Sequence, residues 1–326
     1  MISRSNLIIA SRVSPHIRGD ALHTHMRTFA ASHLEAWWSH IRAQPDYVAN
    51  VVVPMAITFS IYYGFGLLFL ALDHSELSWW HRRKCQQKAR PIPWVNVRKI
   101  TLFVTAQLFT VYPLTLWLGA PLVRARLDFS AELPDLHTVL SSFAAFALCT
   151  EAYFYHCHFL LHHPSIYSLV HKVHHEYTAP IALECLYFHP IESVLQLGTV
   201  AAGPLLLRSH VVLLYAWTVI ALFNVSLHHC GHEVPLDEAP RLGSMAHQHD
   251  YHHKACRANY GVIGLFDWLY GTRGGYDEWH EKWERERMVA AVAADGGEEK
   301  GAGSGSPLSV ATAWDGLERS TAVRRR

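Results

Sequence analysis

Sixteen of the 25 histidines lie between His156 and His253, and eight of those form three boxes of repeating pattern. His158 and His162 make an HxxxH box; His171, His174 and His175 make HxxHH; His249, His252 and His253 repeat HxxHH. A further cluster, His228-His229-Cys230-Gly231-His232, stands between the last two. Neutral imidazole is the commonest protein ligand for metals. Residues at i, i+3 and i+4 share one helix face, so each box can aim two or three ring nitrogens at one point. One ion needs about three or four protein ligands. The boxes with two histidines of the cluster therefore suffice for two ions held close together.

The donor type narrows both the metal and the reaction. Imidazole suits zinc, copper, iron and nickel. A structural zinc site usually includes cysteine, and the six cysteines contain no CxxC pair. A zinc protease needs H-E-x-x-H, and neither HxxHH box has glutamate after its first histidine. A site of two histidines and one carboxylate uses far fewer histidines than are present. A non-haem di-iron centre that activates oxygen fits the count best. No haem or flavin segment and no G-x-G-x-x-G at a strand-to-helix turn is visible, so electrons must arrive from a separate protein.

The elements that must position these boxes read as membrane helices. Half of the 326 residues are apolar and only 17% are charged, low against the usual quarter. The net charge of +1 argues against a nucleic-acid partner. Val51 to Leu72 and Ile100 to Val123 are uncharged and long enough to cross the roughly 30 Å hydrocarbon core. Thr138 to Leu161 forms a third run with Glu151 as its one acid. Ser193 to Leu207 and Val211 to Leu227, broken at Gly203-Pro204 and at Arg208-Ser209-His210, read as a tight helical hairpin. The loop from Asp73 to Lys99 holds seven arginines and lysines against two acids, which places it on the cytoplasmic side. All the boxes then fall on that side. The expected fold is all-α: an integral membrane helical bundle of about four spans, topped by a cytosolic histidine-rich helical cap.

The flanks differ in character. The first 34 residues carry Arg4, Arg12, Arg18 and Arg27 with one acid, Asp20, the composition of an organellar transit peptide or of an irregular N-terminus. Leu34, Trp37, Trp38 and Ile41 recur at helical spacing and predict an interfacial helix. Trp79, Trp80 and Trp94 read as headgroup-level anchors. The thiols are expected to stay reduced. Residues 1–50 form an N-terminal segment, 51–135 two spans and the basic loop, 136–288 the catalytic domain, and 289–326 a structureless tail.

From about Glu151 to Thr272 the chain resembles the fatty acid hydroxylase/sterol desaturase superfamily of integral membrane di-iron enzymes. The residues that carry the resemblance are HFLLHH (158–163), HKVHH (171–175), YFHPIE (187–192), HCGHEVP (229–235), HDYHH (249–253) and NYGVIGLFDWLYGT (259–272). Their order is most similar to the branch of sterol C4-methyl oxidases and fatty acid hydroxylase domain-containing proteins. The resemblance implies two iron ions held by His158, His162, His171, His174, His175, His229, His249, His252 and His253, with His232 as a tenth ligand. His232 departs from the branch, which usually has tyrosine or an apolar residue there, and His228 lies one helical turn before it. Gln248 stands where relatives have an apolar or aromatic residue. The resemblance further implies a lipid taken from the bilayer, cytochrome b5 or its reductase as electron donor, and an endoplasmic reticulum membrane, or an organellar one if the N-terminus is a transit peptide.

Asp250, Glu151, Glu176 and Asn224 are candidates to orient the ligands. His156 and His163 point away from the His158/His162 face, and His189 precedes a helix start at Pro190. The leading activity is hydroxylation of a sterol, methyl sterol or acyl chain. A desaturase of the same superfamily is the rival within the class. A non-catalytic metal-binding membrane scaffold and a metal transporter are the alternatives outside it.

Overall fold

The computed structural model describes residues 32–86, 89, 91–234, 238–239 and 243–298. The segment read as a transit peptide lies almost wholly outside the described residues, as does the tail beyond residue 298. Two units are distinguished, one ending at Gly274 and one beginning at Gly275.

The first unit opens with α1, residues 32–42. A widened π-helical turn, Val48–Val52, leads into α2, Val53–Asp73. Pro54 has no N–H for the carbonyl four residues back, which suits a turn whose bonds reach five residues instead. The short α3 (Ser78–His81) precedes α4 (Trp94–Phe109) and α5 (Val111–Arg126). These two occupy the single run expected from Ile100 to Val123. The break at Thr110 follows from Pro113, which cannot donate to the Phe109 carbonyl.

Next come α6 (Leu136–Leu161), capped by the Asp135 side chain on Thr138 N–H, and α7 (Pro164–Tyr167). Two 3-10 segments, His171–Glu176 and Ala182–Leu186, follow. The hairpin is α8 (Pro190–Leu207) and α9 (Val211–His228). Helix α8 runs through Gly203-Pro204, so the turn is confined to Arg208-Ser209-His210, with Arg208 left-handed at φ 52°. A two-residue ladder of β1 (Glu238–Ala239) and β2 (Gly243–Ser244), α10 (Met245–Ala255) and α11 (Leu265–Tyr270) complete the unit.

Among the described residues, four helical stretches are long and apolar enough to cross a membrane: Val48–Asp73, Trp94–Arg126, Pro190–Leu207 and Val211–His228. Helix α6 is long enough but less apolar than these, because Glu151, His156 and His158 fall within it. It lies against α8 in the most extensive helix pairing of the molecule. Helices α2 and α9 run parallel. The Tyr215 hydroxyl donates to the Ala49 carbonyl at 2.6 Å near their starts, and Phe65 meets Phe223 at 4.6 Å further along. Phe69 and Leu227 then share a cluster near their ends. The box histidines therefore gather at one end of the bundle. The other end is tied by Trp38, which donates to the Ser130 carbonyl at 2.8 Å, and by Arg124 beside Asp46 at 3.6 Å.

Two tryptophans read as interfacial are core residues. Trp38 is 1% exposed within a cluster of Leu127, Val211 and Tyr215, and Trp80 is 2% exposed against Phe69. Trp79 and Trp94 are exposed, as expected of anchors. All six cysteines are free thiols.

The second unit contributes α12, Tyr276–Glu298. It extends ten residues into the stretch expected to be structureless, where alanine, the best helix former, recurs before Gly296.

Gly203 allows α6 and α8 to approach closely. A Cβ there would stand 3.0 Å from both Phe146 Cα and Phe146 Cδ1. Gly203→Val should lower stability by about 1–3 kcal/mol, read as a fall in melting temperature of the protein in lipid nanodiscs. An unchanged melting temperature would show that this contact has room to relax.

Candidate metal centre

The boxes arrive on different local structures. His158 occupies the last turn of α6 and His162 caps it. The second box is the 3-10 segment His171–Glu176, bent at His175, and the third lies within α10. His229 caps α9.

Nine histidines meet as two groups. His158, His162, His171, His175 and His252 form one, and His174, His229, His249 and His253 the other; within each, the ligand atoms lie within 4.8 Å of one another. Both HxxHH boxes divide their members. His171 and His175 face the first group while His174 faces the second; His249 and His253 face the second while His252 faces the first. Each box was expected to aim at one point. Successive helical residues step by about 100°, so neighbours at i+3 and i+4 diverge enough to reach two centres.

Hydrogen bonds at the opposite ring nitrogens decide which nitrogen is free. His158 Nδ1 donates to the Tyr260 carbonyl at 2.7 Å, and His252 Nδ1 to the Ala258 carbonyl at 2.7 Å. His229 Nδ1 donates to the Val225 carbonyl at 2.8 Å, and His253 Nδ1 to the Tyr177 carbonyl at 3.1 Å. His171 Nδ1 donates to Glu192 Oε1 at 2.8 Å. A carbonyl or carboxylate only accepts, so each of these rings is protonated on Nδ1 and bare on Nε2.

The Nε2 atoms converge. His158 and His171 bring their Nε2 atoms to 3.1 Å, His252 and His175 to 3.1 Å, and His249 and His229 to 3.0 Å. Between His158 and His171, both bare on Nε2, lone pair would face lone pair without a cation. The separations match neighbouring nitrogens around a first-row divalent ion bound at roughly 2.0–2.1 Å. Protonation offers no alternative. Burial, followed by the neighbouring rings, holds His171, His174, His175, His249 and His252 well below the ordinary histidine pKa. Burial lowers His229 to about 4, against the opposing effect of its bond to Val225. The donor set thus fits two metal ions.

The remaining candidates are placed as follows. His232 falls outside both groups: its ring stacks on Trp80 at 4.2 Å and its Nδ1 donates to the Cys230 carbonyl at 2.9 Å. His228 is buried on a cavity wall, 6.0 Å from the His249 ring. His156 is exposed and bonds the Ala152 carbonyl. His163 and His189 cap helices by accepting from Ser165 and Ile191 N–H. Glu176 pairs with Lys99 and accepts from the Tyr187 hydroxyl at 2.8 Å, away from the ligands.

Glu151 acts at one remove. Its carboxylate accepts from the N–H groups of Val262, Ile263, Leu265 and Phe266. Asp267 accepts from Tyr260 and Gly261 N–H in the same loop, so the two acids hold the carbonyl that orients His158. Asp250 is buried, and burial raises its carboxyl to about 7. Gln248 packs against Gly264, whose φ of 76° and lack of Cβ leave room for it. Glu192 is the orienting residue that sequence reasoning missed. Its signal was the acid of YFHPIE at the start of a long uncharged run.

A cavity of about 360 Å³ reaches the groups, lined by His158, His174, His229 and His249 at one end and by Asn50 and Tyr215 at the other. Tyr215 and His229 are 14 residues apart on α9, so the cavity extends about 20 Å.

The fatty acid hydroxylase family model matches residues 143–272. Fatty acid hydroxylase domain-containing protein 2 of Macaca fascicularis is 40% identical over 163 residues, covering 50% of this chain and 45% of that protein. Methylsterol monooxygenase 1 of Rattus norvegicus is 35% identical over 158 residues, covering 47% and 54% respectively. C-4 methylsterol oxidase erg25 of Schizosaccharomyces pombe is 27% identical over 258 residues, covering 77% and 84%. The chain thus spans about half the length of the first two of these relatives. No solved structure matches it.

Two outcomes follow. Metal analysis of the purified protein should find about two ions per chain; His252→Ala and His174→Ala should each lose about one, from different groups. A stable metal-free protein would overturn the assignment. The depressed histidine pKa values also set a pH dependence. Folded rings stay neutral while unfolded rings take protons below about 6.5, so their stabilising share is complete above that pH and declines as pH falls. The melting temperature of the metal-stripped protein should fall steadily from pH 7.5 to 5.5, values chosen to bracket the unfolded pKa of about 6.5.

Proposed function

We propose that this chain, whose residues 143–272 match the fatty acid hydroxylase family model, is a multi-pass membrane hydroxylase that acts on a lipid C–H bond with two non-haem irons. The observation that carries the reading is the meeting of bare imidazole nitrogens in two groups at the end of a cavity set among membrane-spanning helices. His158, His162, His171, His175 and His252 would hold one iron, and His174, His229, His249 and His253 the other. Bound iron would supply the activation of O₂ and the oxidation of the C–H bond.

The chain's own residues supply position and environment. The acceptors at Nδ1 of His158, His171, His229, His252 and His253 hold those rings in one tautomer and orientation. The wall, mostly apolar, binds the lipid and keeps water from the reacting carbon. Relatives named methylsterol monooxygenase and C-4 methylsterol oxidase favour a methyl sterol as substrate. Electrons would come from a separate donor such as cytochrome b5 or its reductase. The basic turn at Arg83 and Lys84, whose backbone pairs with Glu233 and His232 beside the box end, is the face that a donor with an acidic surface would approach. An endoplasmic reticulum membrane, with the boxes on the cytosolic side, suits this chemistry.

Deleting the protein should raise 4-methyl sterols in a total lipid profile, and the intact chain but not His252→Ala should restore them. Unchanged sterols with altered hydroxy-acyl lipids would move the substrate to an acyl chain. Unchanged lipids of both kinds would overturn the hydroxylase reading.

A further inference from the structure

The cavity wall is mostly apolar, and most of its polar side chains are satisfied within the wall. Thr58, Thr115 and Thr218 turn their hydroxyls back to the carbonyls of Pro54, Val111 and Leu214 in their own helices. Thr150 donates to the Thr199 carbonyl, and Thr199 to Gln196 Oε1. At the far end the Tyr215 hydroxyl is bound to the Ala49 carbonyl and the Asn50 amide to the Asp46 carbonyl. Asn50 Oδ1, His174 Nδ1, Glu192 Oε2, Trp217 Nε1 and His228 Nε2 lack partners, but all five atoms are sealed inside the wall.

Asn224 differs from all of these. It lines the cavity, is half-buried, and its carboxamide makes no hydrogen bond to any described residue. An amide in an apolar surround that lacks a partner is costly, and a bound ligand can remove that cost. Asn224 stands four residues before His228 and five before His229 on α9, so it sits about 7–8 Å along the helix axis from the metal-binding end. We infer that Asn224 is a specificity-determining residue that hydrogen-bonds an oxygen of the lipid, a hydroxyl or carbonyl lying within a few bonds of the carbon presented to the histidines. The substrate class this selects is a lipid whose polar group enters with the reacting carbon. A lipid that presents a bare hydrocarbon terminus and leaves its polar group at the Asn50 end is disfavoured. The oxidation of that lipid rests on the hydroxylase reading; its selective binding does not.

The test uses the iron-loaded full chain in nanodiscs and two matched pairs of tritiated probes. One pair is a 4-methyl sterol with its free hydroxyl and the same sterol without it; the other is a long-chain alcohol and the matching alkane. The wild-type chain should bind the hydroxylated member of at least one pair about tenfold more tightly, the scale of one hydrogen bond in such a site. Asn224→Leu should abolish that preference at unchanged iron content and melting temperature. Asn224→Thr should do the same, because its hydroxyl can fold onto the Ile220 carbonyl as the wall threonines do. A wild-type chain with no preference in either pair overturns the inference. So do variants that keep the preference, or that weaken both members of a pair alike. A chain that shows the preference yet leaves the probe unoxidised with O₂ and a reductant removes the hydroxylase reading instead.

Discussion

A neutral imidazole carries one ring proton, and the structure places that proton on the far side of the ring from the centre. The carbonyls of Tyr260, Ala258, Val225 and Tyr177 and the carboxylate of Glu192 each take a proton from Nδ1. Every Nε2 so defined then presents a lone pair to the other ring nitrogens in a buried volume, and between His158 and His171 lone pair meets lone pair. That arrangement is unfavourable by itself, since buried acceptors without donors carry their full desolvation cost. A cation at each meeting point removes the conflict. Most of the surrounding structure can be understood as the means of holding those acceptors in place.

The supporting parts work at increasing distance. Glu151, on α6, and Asp267 gather the backbone N–H groups of residues 260–266 and so hold the Tyr260 carbonyl under His158. Helices α2 and α9, running parallel, carry the cavity wall from the Asn50 end to His229. Helix α8 enters with Glu192 in its first turn, beneath His171, and returns through Arg208 into α9. The same hairpin therefore delivers the carboxylate that orients His171 at its start and one of the converging histidines at its end.

Much of this was legible in the sequence. Uncharged runs located the membrane helices, histidine spacing located eight of the nine residues that converge, and the family resemblance supplied His229. Periodicity could not reveal the division of each HxxHH box between two centres, because it describes a face and not the two targets lying on either side of it. His232 matched by position, but whether a ring stacks on Trp80 or turns toward a neighbouring box depends on a loop packing that no local pattern encodes. The acceptors that set the tautomers are mostly backbone carbonyls, which every residue possesses and no sequence distinguishes. Glu192 was readable in principle, as a carboxylate at the entrance to an uncharged helix. Trp38 and Trp80 looked like interfacial anchors because aromatic type predicts an affinity for the boundary; their neighbours, distant in the chain, decided otherwise.

His162 and His252 bring their Nε2 atoms to 3.2 Å although they stand 90 positions apart in the chain, and the α8–α9 hairpin lies between them. During synthesis the first box leaves the ribosome on the order of 5–20 s before the third. In that interval its imidazoles have no partners from α10, and the hairpin must enter the bilayer before the set can close. A newly made chain thus passes through a stage with exposed, unsatisfied histidines beside the membrane, open to whichever soft divalent ion is most abundant. Correct metallation is then a matter of timing and local supply as much as of affinity.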